Sequence, residues 1–310
     1  MKVSIIMLTY NREMMLNRMI ESVLSQTLCD FEYIIVDNGS TDKSGIIADE
    51  YASKDNRIKV IHKARGNIGS GRNAGVNAST GDYLAFVDDD DYLEPEYLEY
   101  LYNLACKNEA DISICGSWRE INGEREAKYI FDGIYTYTNE EAVMEMIKRQ
   151  KFNAATPTKL ITRRLAQKVR FSDTAKYDDV EWTYKIFALS KKTVVSGVPL
   201  YTFIRHNKNN SKGTTVGERV DTEQIKVYLE LFRERTKWLT EYFPNCSDFW
   251  LYSELSYVIS MYEKTEGSLM HIEIEKILKK NIKTFLTMNQ YYSERDKMLV
   301  EKYGGILNES

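Results

Sequence analysis

The chain has 310 residues, 43% of them hydrophobic, so it can bury the core of one large α/β domain or of one domain with a smaller appendage. Its 42 basic and 46 acidic side chains leave a formal net charge of -4 at pH 7, a balance that does not favour nucleic acid as a partner. The four cysteines form no CxxC pair, which argues against a zinc site and a disulfide framework. Three of them are expected to be small buried side chains.

The beginning of the chain enters a strand-like apolar run at Val3 and shows no signal-peptide pattern. No stretch reaches the roughly 18 apolar residues that a membrane span needs. We therefore expect a cytoplasmic location, and docking at the inner face of a membrane stays open.

Apolar runs alternate with helical patterns along the first ninety residues. Val3 to Leu8, Phe31 to Asp37 and Ile58 to His62 are short β-branched runs bounded by polar turns, which is typical of buried parallel strands. The run DYLAFVDDDD supplies a fourth strand that ends in four carboxylates. The alternation predicts an α/β fold with a doubly wound, mostly parallel sheet and helices on both faces.

The later sequence predicts one more central strand, Ala110 to Trp118, and then a mixed region. TVVSGVPLYTFIRH is interpreted as strands at a sheet edge. Beyond Thr214 the sequence becomes charged and rich in Tyr and Leu, which predicts a separate helical region. The predicted helices of the later sequence are Asn139 to Lys151, Thr162 to Gln167, Asp178 to Ser190, Thr222 to Phe243, Asp248 to Glu263 and His271 to Tyr291.

The strongest chemical feature is the run Asp88, Asp89, Asp90 and Asp91 at the end of the fourth strand. Ligands bind at the carboxyl ends of strands in open α/β sheets. Adjacent carboxylates repel one another, and a hard divalent cation that also bridges to a diphosphate would relieve this repulsion. The alternative is a solvated acidic turn before the helix that starts near Pro95.

Four motifs occur in the order and spacing of the family-2 glycosyltransferases: VSIIMLTYNR, IIVDNGSTD, GNIGSGRNAG and FVDDDDYLEP. The segment from Val3 to Pro95 resembles the nucleotide-sugar-binding half of that family. The resemblance implies a GT-A fold, a UDP-sugar donor, Mn²⁺ or Mg²⁺, and transfer with inversion to a hydroxyl of a carbohydrate or lipid-linked glycan. It also implies a catalytic domain at 1–213, with a nucleotide-binding half at 1–95 and an acceptor half at 96–213, followed by a C-terminal helical region at 214–310.

The resemblance also implies roles for residues that lie in the matching motifs. Tyr10 would stack on the uracil, and the alternative is ordinary loop packing. Asp37 would accept a hydrogen bond from the uracil or the ribose, and the alternative is capping of the turn NGSTD. Asp90 is the expected direct metal ligand, with Asp88 on the ribose or a metal-bound water and Asp89 near the ribose or diphosphate. The remaining expected nucleotide contacts are Thr9, Asn11, Asn67 and Arg72.

A second acidic pair, Asp178 and Asp179, lies about ninety residues later in KYDDVEW. It resembles the family's acidic pair, which is usually Glu-Asp, and this implies that Asp179 is the catalytic base and that Asp178 orients the base or the acceptor. The alternative is that this pair only caps the N-terminus of a helix. The segment PLYTFIRHNKNNS resembles the family segment that follows this helix, and the resemblance implies that Arg205 is a candidate to neutralise the leaving group. It also makes His206 a candidate to bind the metal or a phosphate, and the alternative for this histidine is a structural role.

Three other classes of protein are alternatives to a glycosyltransferase. A metal-dependent hydrolase is disfavoured because the common aspartate phosphatases carry their acidic motif after the first strand. A dinucleotide-dependent oxidoreductase is disfavoured because TYNRE lacks the G-x-G-x-x-G motif, and a non-catalytic nucleotide-sugar-binding module stays open. The C-terminal helices are candidates for packing on the catalytic domain, for a homodimer interface or for membrane contact.

Overall fold

The computed structural model describes residues 1–174, 177–205 and 221–308. The chain divides into two compact units, Met1–Lys208 and Asn209–Ser310. The sheet and both acidic motifs belong to the first unit, whereas the described part of the second unit is helical.

The first unit is built on a sheet of ten strands within the described residues, in the order β3-β2-β1-β4-β9-β6-β10-β5, with β7 paired to β6 and β8 to β10. The strands are β1 (Val3–Thr9), β2 (Phe31–Asp37), β3 (Ile58–His62), β4 (Tyr83–Asp88), β5 (Tyr92–Leu93), β6 (Ile112–Ile121), β7 (Glu124–Lys128), β8 (Ile134–Tyr137), β9 (Lys159–Thr162) and β10 (Thr193–Arg205). The helices of this unit are α1 (Leu16–Leu24), α2 (Ser44–Lys54), α3 (Ile68–Ala78), α4 (Tyr97–Asn108), α5 (Asn139–Lys148), α6 (Arg163–Ala166) and α7 (Asp178–Leu189).

The four strands β3, β2, β1 and β4 are parallel, as predicted. Every residue of β2 is buried, and since side chains alternate between the faces of a sheet, both of its faces are covered. β1 pairs with β2 on one side and with β4 on the other, so the strand order reverses at β1. The ends of these strands at Thr9, Asp37 and Asp88 therefore lie at one edge, called the site edge below, at the topological switch point where open α/β sheets bind ligands.

Helix α3 packs directly onto β1 because two of its glycines leave room for it. A Cβ atom at Gly71 would lie 2.2 Å from Leu8 Cδ1, and one at Gly75 would lie 2.3 Å from Ile6 Cγ2. The close packing of helix and strand therefore depends on residues without side chains. It places Arg72, which lies between these glycines, at the site edge.

The later strands differ from prediction, and the short strands β5, β8 and β9 were not predicted. TVVSGVPLYTFIR forms one long strand, β10, with a register shift between Val195 and Tyr201, and it is internal because β6 pairs on one side and β5 and β8 on the other. The hairpin strand β7 was not predicted, since its sequence EREAK is polar and mostly exposed. β7 follows β6 after a short turn, and this turn, not an apolar pattern, brings the two strands together.

The described part of the second unit consists of α8 (Thr222–Tyr242), α9 (Ser247–Tyr262), α10 (Leu269–Leu286) and α11 (Glu294–Asn308). The first three helices are close to their predicted bounds, while α11 was missed because its sequence is charged and contains Gly304 and Gly305. Among the described helices, none combines the length and the apolar character needed to cross a membrane. The cysteine prediction was wrong: Cys115 is buried, Cys29 and Cys106 are exposed and Cys246 is intermediate.

Candidate active site

The acidic run that follows β4 is tied to β10 through its last member. The Asp91 carboxylate accepts hydrogen bonds from the Tyr201 hydroxyl and the Ile204 amide, both at 2.8 Å. The same Tyr201 hydroxyl accepts a 3.2 Å hydrogen bond from the Asp88 amide. Asp91 is therefore a structural residue that fixes the turn to β10, while the three aspartates before it lie at the site edge.

Arg72 joins the two acidic motifs that the sequence separates by ninety residues. Its Nη1 donates to Asp178 Oδ2 at 2.7 Å, and its Nη2 lies 3.4 Å from Asp88 Oδ1. Burial alone would lower the pKa of Arg72, but the charges of Asp178, Asp88 and Asp179 outweigh it and raise this pKa. Arg72 thus stays a cation that holds the end of β4 and the beginning of α7 together.

Asp88 remains partly open to solvent, with 43% of its side chain exposed. Burial by the surrounding protein raises the pKa of Asp88, the charge of Arg72 opposes the rise, and the nearby carboxylates of Asp90, Asp178 and Asp179 add to it. Contact with solvent limits this rise. A further positive charge near Asp88 would therefore stabilise its ionised form.

Asp89 and Asp90 face an arginine that sequence reasoning did not single out. Arg12 Nε lies 3.5 Å from Asp89 Oδ1, and its Nη2 lies 3.9 Å from Asp90 Oδ2. A second arginine, Arg18, donates from Nη2 to the carbonyl oxygen of Asp90. Burial raises the pKa of Asp89 to about 7, which shows how strongly this turn resists an unpaired negative charge. Arg12 stands inside the motif TYNRE, so its position after β1 was the available signal.

Asp178 and Asp179 form the first turn of α7. The hydrogen bond from Arg72 directs the Asp178 carboxylate to the site edge, so its role goes beyond that of a helix cap. Burial raises the pKa of Asp179, the charge of Asp178 adds to the rise, and Arg72 opposes it. A buried carboxyl group with a raised pKa beside other ionised groups is a candidate for proton transfer.

Aromatic packing holds α7 against β4. The Trp182 ring lies 5.6 Å from the Phe86 ring of β4 and is stacked on Phe171 at 4.3 Å, as centroid distances. Trp182 is 1% exposed, so it is a core residue and not a platform for a sugar ring. This packing sets the position of the acidic pair at the beginning of the helix.

The residues expected to line a uracil pocket gather where β1 and β2 end. Thr9 is buried beside Asp37 in the β1–β2 pairing, and the guanidinium carbon of Arg65 lies 3.2 Å from the centroid of the Tyr10 ring. Asn11 adopts a left-handed φ of 53° and its side-chain oxygen accepts a 2.8 Å hydrogen bond from the Thr41 amide. Nucleotide contacts by these residues stay predictions.

Asp37 and Asn67 both have structural partners. Asp37 accepts a 2.9 Å hydrogen bond from the Ser40 amide and lies 3.0 Å from His62 Nδ1, so it does cap the turn NGSTD. Asn67 caps α3 by accepting from the Ser70 amide at 2.8 Å, and its side-chain amide donates to the Ser172 carbonyl at 2.9 Å. Their proposed contacts with a nucleotide stay predictions.

Arg205 is the last residue of β10 and pairs with Ile121 at the end of the parallel strand β6. It therefore lies on the side of the sheet where β1, β2 and β4 also end. His206, the candidate metal or phosphate ligand, lies outside the described residues. Within residues 1–174, 177–205 and 221–308, no three His, Cys, Asp or Glu side chains are arranged to hold a metal ion.

A parallel half-sheet with an acidic turn at its switch point, faced by a second acidic motif on a later helix, is the arrangement of GT-A-type glycosyltransferases. Residues 4–170 match the family described as Glycosyl transferase family 2, which is more than half of the chain. The chain belongs to this family, and it is a glycosyltransferase that uses a nucleotide-sugar donor.

Two curated relatives and one solved structure illustrate the similarity. The glycosyltransferase GlyG of Streptococcus pneumoniae is 29% identical over 242 residues, which cover 75% of this chain and 79% of GlyG. The poly(ribitol-phosphate) beta-N-acetylglucosaminyltransferase TarP of Staphylococcus aureus is 29% identical over 241 residues, 75% of this chain and 71% of TarP. The structure of S. aureus TarS 1–349 in complex with UDP-GlcNAc matches 99% of this chain and 86% of that chain, with a TM-score of 0.73 and 20% identity. At that identity the structural match shows the fold alone.

Proposed function

We propose that this protein transfers a hexosyl or N-acetylhexosaminyl group from a UDP-sugar to a hydroxyl of a carbohydrate or lipid-linked glycan, with inversion at the anomeric carbon. The observation that carries the proposal is the Arg72 bridge between Asp88 and Asp178. It supports a single site in which one acidic motif serves the diphosphate and the other serves the acceptor.

The acidic turn fits a divalent cation that is shared with a diphosphate. Asp88, Asp89 and Asp90 are adjacent, and burial raises the pKa of Asp88 and Asp89, so a further positive charge would stabilise their ionised forms. Mg²⁺ and Mn²⁺ commonly take one or two protein carboxylates and complete their coordination with phosphate oxygens and water. We assign Asp90 as the direct ligand and Asp88 to the ribose or a metal-bound water. A bound cation would neutralise the charge that develops on the departing UDP.

Asp179 is the proposed base. An inverting transfer needs a carboxylate on the face of the sugar opposite the leaving group, where it removes the proton of the acceptor hydroxyl while the new C–O bond forms and the bond to the phosphate oxygen breaks. Asp179 lies on α7, whereas the acidic turn follows β4, and Arg72 interacts with the carboxylates of both elements. Asp178 is held by Arg72 and orients the base or the acceptor, and Arg205 is assigned to the leaving diphosphate.

The relatives support a UDP-linked donor for this chain and leave the identity of its sugar open. TarS was crystallised with UDP-GlcNAc, and the name of TarP gives N-acetylglucosaminyl transfer to poly(ribitol-phosphate). We propose the same class of donor for this chain. The predicted domain limits, cytoplasmic location, membrane contact and homodimer stay predictions. Cell fractionation tests the location and the membrane contact, and size-exclusion chromatography tests the homodimer.

A donor panel tests the proposal. The purified protein is incubated with UDP-glucose, UDP-galactose and their N-acetyl forms, in Mn²⁺, in Mg²⁺ and in a chelator, and released UDP is measured with and without glycan acceptors. We expect one donor class to be turned over, with dependence on the metal, and proton NMR of the product to show the anomeric configuration opposite to that of the donor. Retention of configuration, or equal turnover in the chelator, would contradict the mechanism.

A further inference from the structure

Lys159 is a buried lysine to which the reaction above gives no role. It is the first residue of β9, it pairs with Ile114 of β6, and it is 1% exposed. Because Leu160 pairs with Ala85 in the antiparallel β4–β9 ladder, Lys159 lies one residue nearer the end of β4 that carries Asp88. Lys159 is therefore the residue of β9 that lies nearest the site edge.

The segment next to Lys159 connects it to α7. The Lys159 ammonium donates to the carbonyl oxygen of Ala155, and the Thr183 hydroxyl of α7 donates to the neighbouring carbonyl of Ala154 at 2.7 Å. Thr183 follows Asp179 by four residues, so the two share one face of α7. The backbone at Ala154 and Ala155 thus lies between Lys159 and the helix face that carries the proposed base.

Asp179 is the anion that acts on Lys159 among the described residues. The other titratable group that acts on it is the Cys115 thiol of β6, and burial raises the pKa of Cys115 to about 12, so it stays neutral. Burial lowers the pKa of Lys159 to about 7, and the charge of Asp179 opposes this decrease. In the described part of the chain the ammonium forms one hydrogen bond, to Ala155, although it has three N–H donors.

A lysine in this position is costly for folding alone, because a buried ammonium with one hydrogen bond loses its hydration without full compensation. A methionine would fill the same space. The burial of Lys159 and its interaction with Asp179 together indicate that the charge has a role in the site.

We propose that Lys159 is a positioning residue for the catalytic base: its charge keeps Asp179 ionised and its hydrogen bond to Ala155 fixes the backbone on which the Asp179 face of α7 rests. This inference rests on the proposed function, since it takes Asp179 as the base. Lys159 acts through Asp179 and makes no bond to the donor or the acceptor. Burial and the Asp178 charge favour a protonated Asp179, and the charge of Arg72 opposes them. The charge of Lys159 acts in the same direction as that of Arg72.

The test compares Lys159→Met, Lys159→Gln and Lys159→Arg with the wild type. Lys192→Met is the matched control, because Lys192 also donates to a backbone carbonyl, that of Asn108 at 2.9 Å, and has no part in the site. The rate constant kcat is measured from pH 5 to pH 9 at saturating donor, together with KM for the donor and the affinity for UDP. UDP affinity reports whether each variant keeps a folded nucleotide site.

We expect the acid limb of the kcat profile to move to higher pH in Lys159→Met and Lys159→Gln, by about one unit, so that kcat on this limb falls about tenfold. KM for the donor and UDP affinity should change by less than about twofold, and Lys159→Arg should restore the wild-type limb because it keeps the charge. Lys192→Met should follow the wild type throughout.

An equal loss of kcat at every pH, or an unmoved acid limb with transfer intact, would overturn the inference and leave the proposed function standing. Loss of UDP affinity in all three variants would also overturn it, because Lys159 would then be a structural residue only. A wild-type protein that transfers no sugar in the donor panel would overturn both.

Discussion

Replacing Arg72 with methionine removes the charge that joins the two acidic motifs and keeps much of the apolar stem. The pair with Asp178 is the stronger of the two contacts, with a distance of 2.7 Å and side chains that are 11% and 6% exposed. The contact with Asp88 is longer, at 3.4 Å, and Asp88 is 43% exposed. The substitution therefore leaves one deeply buried carboxylate without its partner and one carboxylate that water still reaches.

Removing one partner of a buried ion pair destabilises a protein by about 3–5 kcal/mol. Because water solvates Asp88 in the variant, we expect the lower end, about 3 kcal/mol, for the loss in free energy of unfolding. Arg164→Met is the control: Arg164 lies 2.9 Å from Asp111, but 53% of its side chain is exposed, so the expected loss is about 0–1 kcal/mol.

Urea unfolding is followed by tryptophan fluorescence and by far-UV circular dichroism, and free energies are compared where the two transitions coincide. A double variant of Arg72→Met and Asp178→Asn should lose less than the sum of the two single losses, because the second change removes the stranded charge. If Arg72→Met and Arg164→Met have the same effect, Arg72 does not bridge the motifs.

Three further predictions concern single carboxylates. Asp179→Asn should keep UDP affinity within about twofold and lose transfer by about 10²-fold or more, measured as UDP release with acceptor, because the amide cannot take the proton; full transfer would rule out this base. Asp90→Ala should weaken UDP binding about tenfold or more in Mn²⁺ and leave it unchanged in a chelator, measured by calorimetry, whereas an equal effect in both would argue against a metal ligand. Burial of Glu32 acts to raise its pKa, but hydrogen bonds from Lys59, Ser4 and Thr80 outweigh this effect and lower the pKa to about 2. The ionised Glu32 therefore stabilises the fold above about pH 4.5. This stabilisation is lost as the pH falls towards 2. Glu32→Gln should therefore be less stable than the wild type at pH 7 by about 3 kcal/mol and similar near pH 2, measured by urea unfolding; the same difference at both pH values would contradict this.

Patterns that repeat locally could be predicted from the sequence. The strands Val3–Thr9 and Phe31–Asp37 are apolar runs that are buried on both faces, whereas Ile58–His62 is only partly buried at the end of the strand order. The acidic turn could be found because it stands at the end of an apolar strand run, where open α/β sheets bind ligands. The Asp178–Asp179 pair could be found because it resembles the family's acidic pair before an apolar helix. The prediction that they share a site needed the family resemblance, and Arg72 gives it a physical basis.

What could not be predicted depends on contacts between distant segments. Lys159 stands in the strand sequence KLIT, where nothing local distinguishes a buried lysine from an exposed one. Asp91 resembled its three neighbours, and only the register of β10 shows that it binds Tyr201 and the Ile204 amide. Gly71 and Gly75 make room for β1, and this is visible only in the packing of α3 on the strand.

The most direct test of the central claim is a crystal structure of the protein with UDP and Mn²⁺, with the metal located by its anomalous signal. We expect a manganese ion bonded to Asp90 and to both phosphates at the site edge, with the Asp179 carboxylate on the side of the donor-sugar position opposite the diphosphate. A nucleotide bound elsewhere, or an Asp179 carboxylate on the same side as the diphosphate, would contradict it.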